Sequence, residues 1–307
     1  MGTSITLVIE PKVHLHDMNI FDIGANKPYI DTGKMHDEIS NTVATQIAIA
    51  RAYFSGAKTQ TVQLAMPAYV VDTLAERSPE TIVQLRNFIT SSKIDLLAMP
   101  YYGTSLDVIK PEELQMQLEL QKESFQKHFK KRSKTFYASS KLSLEQKEII
   151  QKNLGTTTIV DSKDKTVLFL NNINDAEEFE KLVEEIQSAT KTVVLNARLG
   201  FKDMKDHLIT ELQGIYPHIV VSEDNQLLET WRLMAHEGLL SNFDMYSSEQ
   251  SPYEQYTTML NMCNDVAHKI KTLALTKRGV FLTDVDVTDS PSQFLRDVME
   301  QTKTRNT

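Results

Sequence analysis

The feature that most narrows what this chain can fold into is a rhythm. Short runs of β-branched and apolar residues alternate with segments whose apolar residues recur every three or four positions. The first run, Ile5–Ile9 (I-T-L-V-I), is apolar enough to be covered on both faces, as strands of parallel sheets are. Met35–Phe54 then carries Ile39, Val43, Ile47, Ala50 and Phe54 at helical spacing, with Gly56 as a stop. Further strands are expected at Thr61–Met66, Ile94–Met99, Thr135–Ser139, Thr157–Asp161, Val167–Leu170, Thr192–Asn196 and His218–Ser222. Helices are expected near Tyr69–Glu76 and at Pro79–Ser91, Pro111–Phe129, Ser143–Asn153, Ala176–Ser188 and Asp203–Gln213. Pro79 and Pro111 open their helices, where the missing N–H costs nothing. Strand and helix alternating at this spacing mean βα units and a parallel sheet, open or closed. Two longer helices, Asn225–Leu240 and Pro252–Leu273, break the rhythm, and a last apolar run, Gly279–Val285, precedes a terminal helix from Pro291. The expected organisation is a (β/α) barrel over residues 1–222 and a helical region over 223–307, packed on the barrel and ending in a final strand and helix.

A length of 307 residues suits an α/β barrel, which needs roughly 250. Hydrophobic residues at 41% supply a large core. The net charge of -8, without a long basic stripe, argues against nucleic acid as a partner. The densest basic cluster, Lys127–Lys134 (K-H-F-K-K-R-S-K), reads either as a phosphate-binding patch or, preferably, as a helix C-terminus whose cations complement the dipole. One cysteine, Cys263, excludes an intramolecular disulfide and any multi-cysteine metal cluster. The N-terminus has no basic n-region, and no run of about 18 apolar residues occurs, so no membrane association and a cytoplasmic location are expected.

Parallel α/β barrels place their chemistry at the C-terminal ends of strands. Here the stretch Thr135–Ser143, T-F-Y-A-S-S-K-L-S, ends a strand without a carboxylate, and the nearest acid, Glu145, belongs to the next helix. The long first loop, Glu10–Lys34, offers His14-Leu15-His16-Asp17 as a metal set, but an extended H-x-H points its rings apart, and polar loop residues are the preferred reading; neither metal nor cofactor is expected. Tyr101, Tyr102, Tyr137 and Trp231 are candidate sugar-stacking rings, with Trp231 better read as helix packing. Asp284, Asp286 and Asp289 read as a strand-end turn and a helix N-cap, and Cys263 as a small buried residue.

Several stretches together resemble glycoside hydrolase family 57. Lys93–Leu106 (K-I-D-L-L-A-M-P-Y-Y-G-T-S-L) is similar to the family's L-L-A-T-P-Y-Y-H motif, and P-E-E-L-Q-M-Q-L-E-L-Q to the helix after it. Leu227–Leu233 (L-L-E-T-W-R-L) resembles L-L-x-x-W-R-x-L, and Ser251–Asp265 resembles S-P-Y-E-A-F-x-x-Y-M-N-V-L-x-D. The resemblance is to the α-amylase-like branch. It implies an incomplete (β/α)7 barrel of the glycoside hydrolase/deacetylase type with a C-terminal helical region, and retaining chemistry on α-1,4-glucans through two carboxyl groups about 5 to 5.5 Å apart. The family's nucleophile, the Glu of F-R-N-T-E-L, falls on Ser140, or on Lys141 if the leucine is the anchor. Its acid/base Asp falls on Asn196 within Val194–Phe201, and the neighbouring Glu on Arg198. The histidine of Y-Y-H becomes Gly103, and the H-Q-P motif becomes Glu10, Pro11, Lys12, Val13 and His14.

The expectation is therefore a catalytically impaired relative, a pseudoenzyme acting as a carbohydrate-binding, regulatory or assembly partner. Its candidate partners are an α-glucan or oligosaccharide, an active family relative and a second copy of itself. The cleft candidates are Glu10, His14, His16, Tyr101, Tyr102, Gly103, Tyr137, Arg198 and Trp231. The rival expectation is an active α-glucan hydrolase or transferase using other acids, such as Glu10, Asp17 or Asp22.

Overall fold

A computed structural model describes residues 5–16, 28–54, 62–91, 94–155, 158–164, 166–170, 175–188, 202–240 and 252–277. Contacts divide the chain into two compact units, one of residues 1–14 and 31–195, the other of residues 15–30 and 196–307.

The first unit is built on strands β1 (Ile5–Val8), β2 (Val62–Ala65), β3 (Asp95–Ala98), β4 (Thr135–Ala138), β5 (Ile159–Asp161) and β6 (Val167–Phe169). All pair in parallel in the order β5-β4-β3-β2-β1-β6, an incomplete (β/α) barrel. The interior strand β1 is buried along its whole length, and its Thr6 avoids an unpaired hydroxyl by donating to Gln63 Oε1 at 3.0 Å. Side-chain alternation separates two cores. Val8, Ala65, Leu97, Met99, Tyr137 and Val167 fill the inside of the sheet. Ala98, Phe136 and Ala138 face outward, where they pack with Leu114, Leu118 and Ile150 of the covering helices.

Those helices are α1 (Thr32–Glu38) and α2 (Ala44–Phe54) with a π-helical stretch, Ile39–Val43, between them, then α3 (Ala68–Arg77), α4 (Pro79–Ser91), α5 (Pro111–Phe129), α6 (Leu144–Leu154) and α7 (Ala176–Gln187). The expected helix over Met35–Phe54 is thus a longer one that widens by one residue per turn in the middle. Helix α6 begins with a capping box, in which Ser143 Oγ accepts from the Gln146 N–H and Gln146 Oε1 accepts from the Ser143 N–H.

The second unit holds α8 (Lys202–Ser222), α9 (Asn225–Met234), α10 (Glu237–Leu240) and α11 (Pro252–Lys277). The strand expected at His218–Ser222 is the last part of α8, which continues through Pro217. Burial explains the correction: Leu208, Leu212, Ile215 and Ile219 are buried at spacings of four, three and four, whereas Val220 and Val221 are 50% and 65% exposed. The helix expected over Asn225–Leu240 is broken at Ala235–His236, where His236 Nδ1 accepts from the Gly238 N–H at 2.9 Å. The expected strand Thr192–Asn196, the run Gly279–Val285, the terminal helix and Asp284, Asp286 and Asp289 lie outside the described residues.

Candidate functional site at the strand ends

The C-terminal ends of β1 to β4 gather the polar and aromatic residues of the first unit. Glu10 lies two residues beyond the inward-facing Val8, so strand parity carries it into the mouth of the barrel, where it is 9% exposed. In the loop that follows, His14 Nε2 is bound to Glu38 Oε2, and Glu38 Oε1 accepts from the Lys12 N–H at 3.2 Å. Glu38 is the last residue of α1, immediately before the π-helical stretch. Tyr69, at the start of α3 after β2, completes the group. Its phenol is pushed far up, first by burial and then by the charges of Glu38 and Glu10.

After β3 the chain turns through Pro100–Gly103, the Gly103 N–H donating to the Pro100 carbonyl at 2.9 Å with Gly103 at φ +72°. That left-handed backbone suits glycine and would strain a histidine. The turn displays two half-buried rings, Tyr101 and Tyr102, in edge-to-face contact at 4.8 Å, and Tyr102 stacks on Tyr69 at 6.3 Å. Tyr101 donates its O–H to Asp72 Oδ2 at 2.9 Å, while His128 Nε2 meets Asp72 Oδ1 at 2.8 Å. Burial alone would raise the Asp72 carboxyl, but the hydrogen bonds of His128 and Tyr101 outweigh it and hold the group below the usual range.

Helix α5 fixes this turn from behind. Gln121 takes the Met99 N–H at 2.8 Å and gives to the Leu97 carbonyl at 3.3 Å; Gln117 takes the Tyr102 N–H at 3.2 Å and gives to Thr104 Oγ1 and Glu113 Oε1. Three buried polar residues at i, i+4 and i+8 (Glu113, Gln117, Gln121) therefore form the outer support of the site.

At the end of β4, Ser140 is half-buried, and its Oγ is enclosed without a hydrogen-bond partner among the described residues. Lys141 is exposed. Among the other expected site residues, Tyr137 is 1% exposed inside the sheet, so its ring presents no face to a sugar. Trp231, in the second unit, is wholly buried against Tyr216 at 4.6 Å and donates Nε1–H to the Leu212 carbonyl at 2.9 Å. It is a packing residue between helices, which removes it as a stacking platform. His16 donates its N–H to the Tyr29 carbonyl at 2.7 Å within the same unit. Asn196, Arg198, Asp17 and Asp22 lie outside the described residues. No group of three or more His, Cys, Asp or Glu among the described residues is placed to hold a metal ion, and no described helix is long and apolar enough to cross a membrane. Cys263 is buried, its thiol pushed far up first by burial and then by the charge of Glu211.

Sequence reasoning missed Glu38, Tyr69, Asp72 and His128. Tyr69 could have been found from its place just after a strand end. Glu38, Asp72 and His128 carry no local signal, because each joins the group across a separation of tens of residues in sequence.

The first unit is thus a parallel, incomplete (β/α) barrel whose polar residues gather at the strand ends. The sequence model described as glycosyl hydrolase family 57 matches residues 11–188, more than half of the chain, and the chain belongs to that family. A solved structure, the 4-alpha-glucanotransferase from Thermococcus litoralis, matches with a TM-score of 0.51 over 95% of this chain and 60% of that one at 8% identity. The chain thus spans 60% of the length of that protein, and the likeness is one of fold. No curated protein sequence matches significantly.

Proposed function

We propose that this family 57 chain binds an α-glucan or short oligosaccharide at the strand-end mouth without the family's covalent hydrolysis. The observation that carries the reading is the end of β4. Where the family resemblance puts the nucleophilic carboxylate stands Ser140, its hydroxyl enclosed, followed by the exposed Lys141. A retaining mechanism needs a carboxylate there to form the glycosyl ester. Asn196, at the acid/base position by the same resemblance, is an amide and delivers no proton. The half-exposed edge of Tyr101 and Tyr102 supplies flat amphipathic rings that suit pyranose faces. A bound glucan would make the protein a carbohydrate-dependent regulator or assembly partner, of an active relative or of a second copy.

Calorimetry with maltooligosaccharides and a reducing-sugar assay on the same preparation test this. Saturable binding that is lost in Tyr102→Ala, with no sugar released, is the expected result. Release of reducing sugar that Tyr102→Ala abolishes would overturn it.

One observation favours a second reading, an active α-glucan hydrolase or transferase with non-standard acids. Glu10 and Glu38 both act on the Tyr69 phenol, so two carboxyl groups lie within electrostatic reach of one ring at the strand ends. Under that reading, sugar release would be present and would disappear in Glu10→Gln and in Glu38→Gln.

A further inference from the structure

A cavity of about 210 Å³ lies on the helix side of the sheet, between α5, α6 and the segment leading into β4. Its floor is apolar, from Leu118 and Leu154, and its rim carries Lys122, Arg132, Ser133 and Lys134. Ala98 and Gln121 also line it, so it lies on the outer, helix-covered face of the sheet, whereas Glu10 and Tyr69 of the mouth lie beyond the strand ends.

The basic cluster here divides into cations that are engaged and cations that are not. Lys131 Nζ donates to the Ile89 and Ile94 carbonyls at 3.3 and 3.0 Å, and Lys127 Nζ lies 3.6 Å from Asp72 Oδ1. These serve carbonyls at and beyond the end of α4 and a carboxylate of α3. Lys122, Arg132 and Lys134 make no hydrogen bond or ion pair among the described residues, and all three are exposed. Ser133 Oγ is enclosed and has no partner among them either. Three uncommitted cations and an unsatisfied hydroxyl around one recess, on a chain of net charge -8, concentrate positive potential where the rest of the surface repels anions.

We propose that this recess binds a small phosphomonoester. A phosphate dianion can bond several cations at once, and an arginine fork matches two of its oxygens. The volume equals about seven waters at roughly 30 Å³ each, room for a phosphate and a few carbons but below the roughly 300 Å³ at which drug-sized pockets begin. The apolar floor takes the carbon portion and Ser133 Oγ gains an oxygen partner. This assignment is independent of what the strand-end mouth binds.

The test is calorimetry, with ³¹P line shapes as a second readout, on the full chain titrated with inorganic phosphate and with glycerol 3-phosphate. We expect saturable binding, tighter for the ester, and a loss on the order of tenfold or more in Arg132→Gln/Lys134→Gln. All the substituted side chains are exposed, so the variants keep the fold, which circular dichroism checks. Lys147→Gln, an exposed α6 cation outside the cavity, should leave the affinity unchanged. Absence of saturation, an equal loss in Lys147→Gln, or unchanged affinity in the double variant would each overturn the proposal. A phosphatidate headgroup offers the same chemistry; cosedimentation with phosphatidate vesicles, absent from vesicles of neutral lipid, would overturn the assignment to a free ester.

Discussion

Asp72 ties three elements together through one carboxylate: α3 carries it, Tyr101 reaches it from the turn after β3, and His128 meets it from the end of α5. Its carboxyl is held below the ordinary value of 3.8, so it favours the folded state at pH above that value and loses the contribution as pH falls through the folded value. Asp72→Asn should therefore be less stable at pH 7 and lose less stability than the wild type as pH falls below 3.8, as read from urea midpoints. His236 works in the opposite part of the scale. Burial pulls its imidazole from 6.5 to about 4, keeping the ring neutral and able to accept from Gly238. Between those values the unfolded chain binds the extra proton, so stability falls as pH drops, by on the order of 3 kcal/mol at pH 4. His236→Asn, whose side-chain oxygen can accept the same N–H, should flatten that slope in urea titrations run from pH 7 to 4. Truncation of Trp231 is expected to be severe: Trp231→Ala empties a fully buried site and removes the indole hydrogen bond to the Leu212 carbonyl, at a cost of about 3 to 5 kcal/mol in chemical denaturation.

At the scale of elements, helix α8 shows local and tertiary signals in competition. The β-branched run after Pro217 predicts a strand, yet the apolar stripe through Leu208, Leu212, Ile215 and Ile219 needs one continuous helix to be buried. Packing prevails over propensity because a stripe of buried side chains is worth several kcal/mol, more than the roughly 3 kcal/mol a proline costs inside a helix. Pro217→Ala restores an N–H for the Gln213 carbonyl, and should stabilise by on the order of 1 to 3 kcal/mol, seen as a raised thermal midpoint. Had the segment been a strand, no such gain would appear. Most other elements were legible from periodicity: α4 and α5 start at the prolines that announce them, and α6 runs over Leu144–Leu154, within a residue of its expected span. The π-helical widening at Ile39–Val43 was not, since it changes the hydrogen-bond pattern without changing which residues are apolar.

For the whole molecule, the question is what a family 57 barrel does with a serine at the end of its fourth strand. The two readings differ in outcome with one substrate series: binding without turnover, lost in Tyr102→Ala, or turnover lost in Glu10→Gln and Glu38→Gln. The sequence by itself determined the parallel βα architecture and the family, because strand runs, helical stripes and strand-end motifs are written within windows of about ten to twenty residues. Only the tertiary structure decided which groups share the mouth. His14 meets Glu38 over 24 positions, Asp72 meets His128 over 56, and Tyr137 and Trp231 turn out to be buried rings. The reason is physical: burial and juxtaposition depend on how layers pack, and no local pattern records which distant side chain arrives alongside.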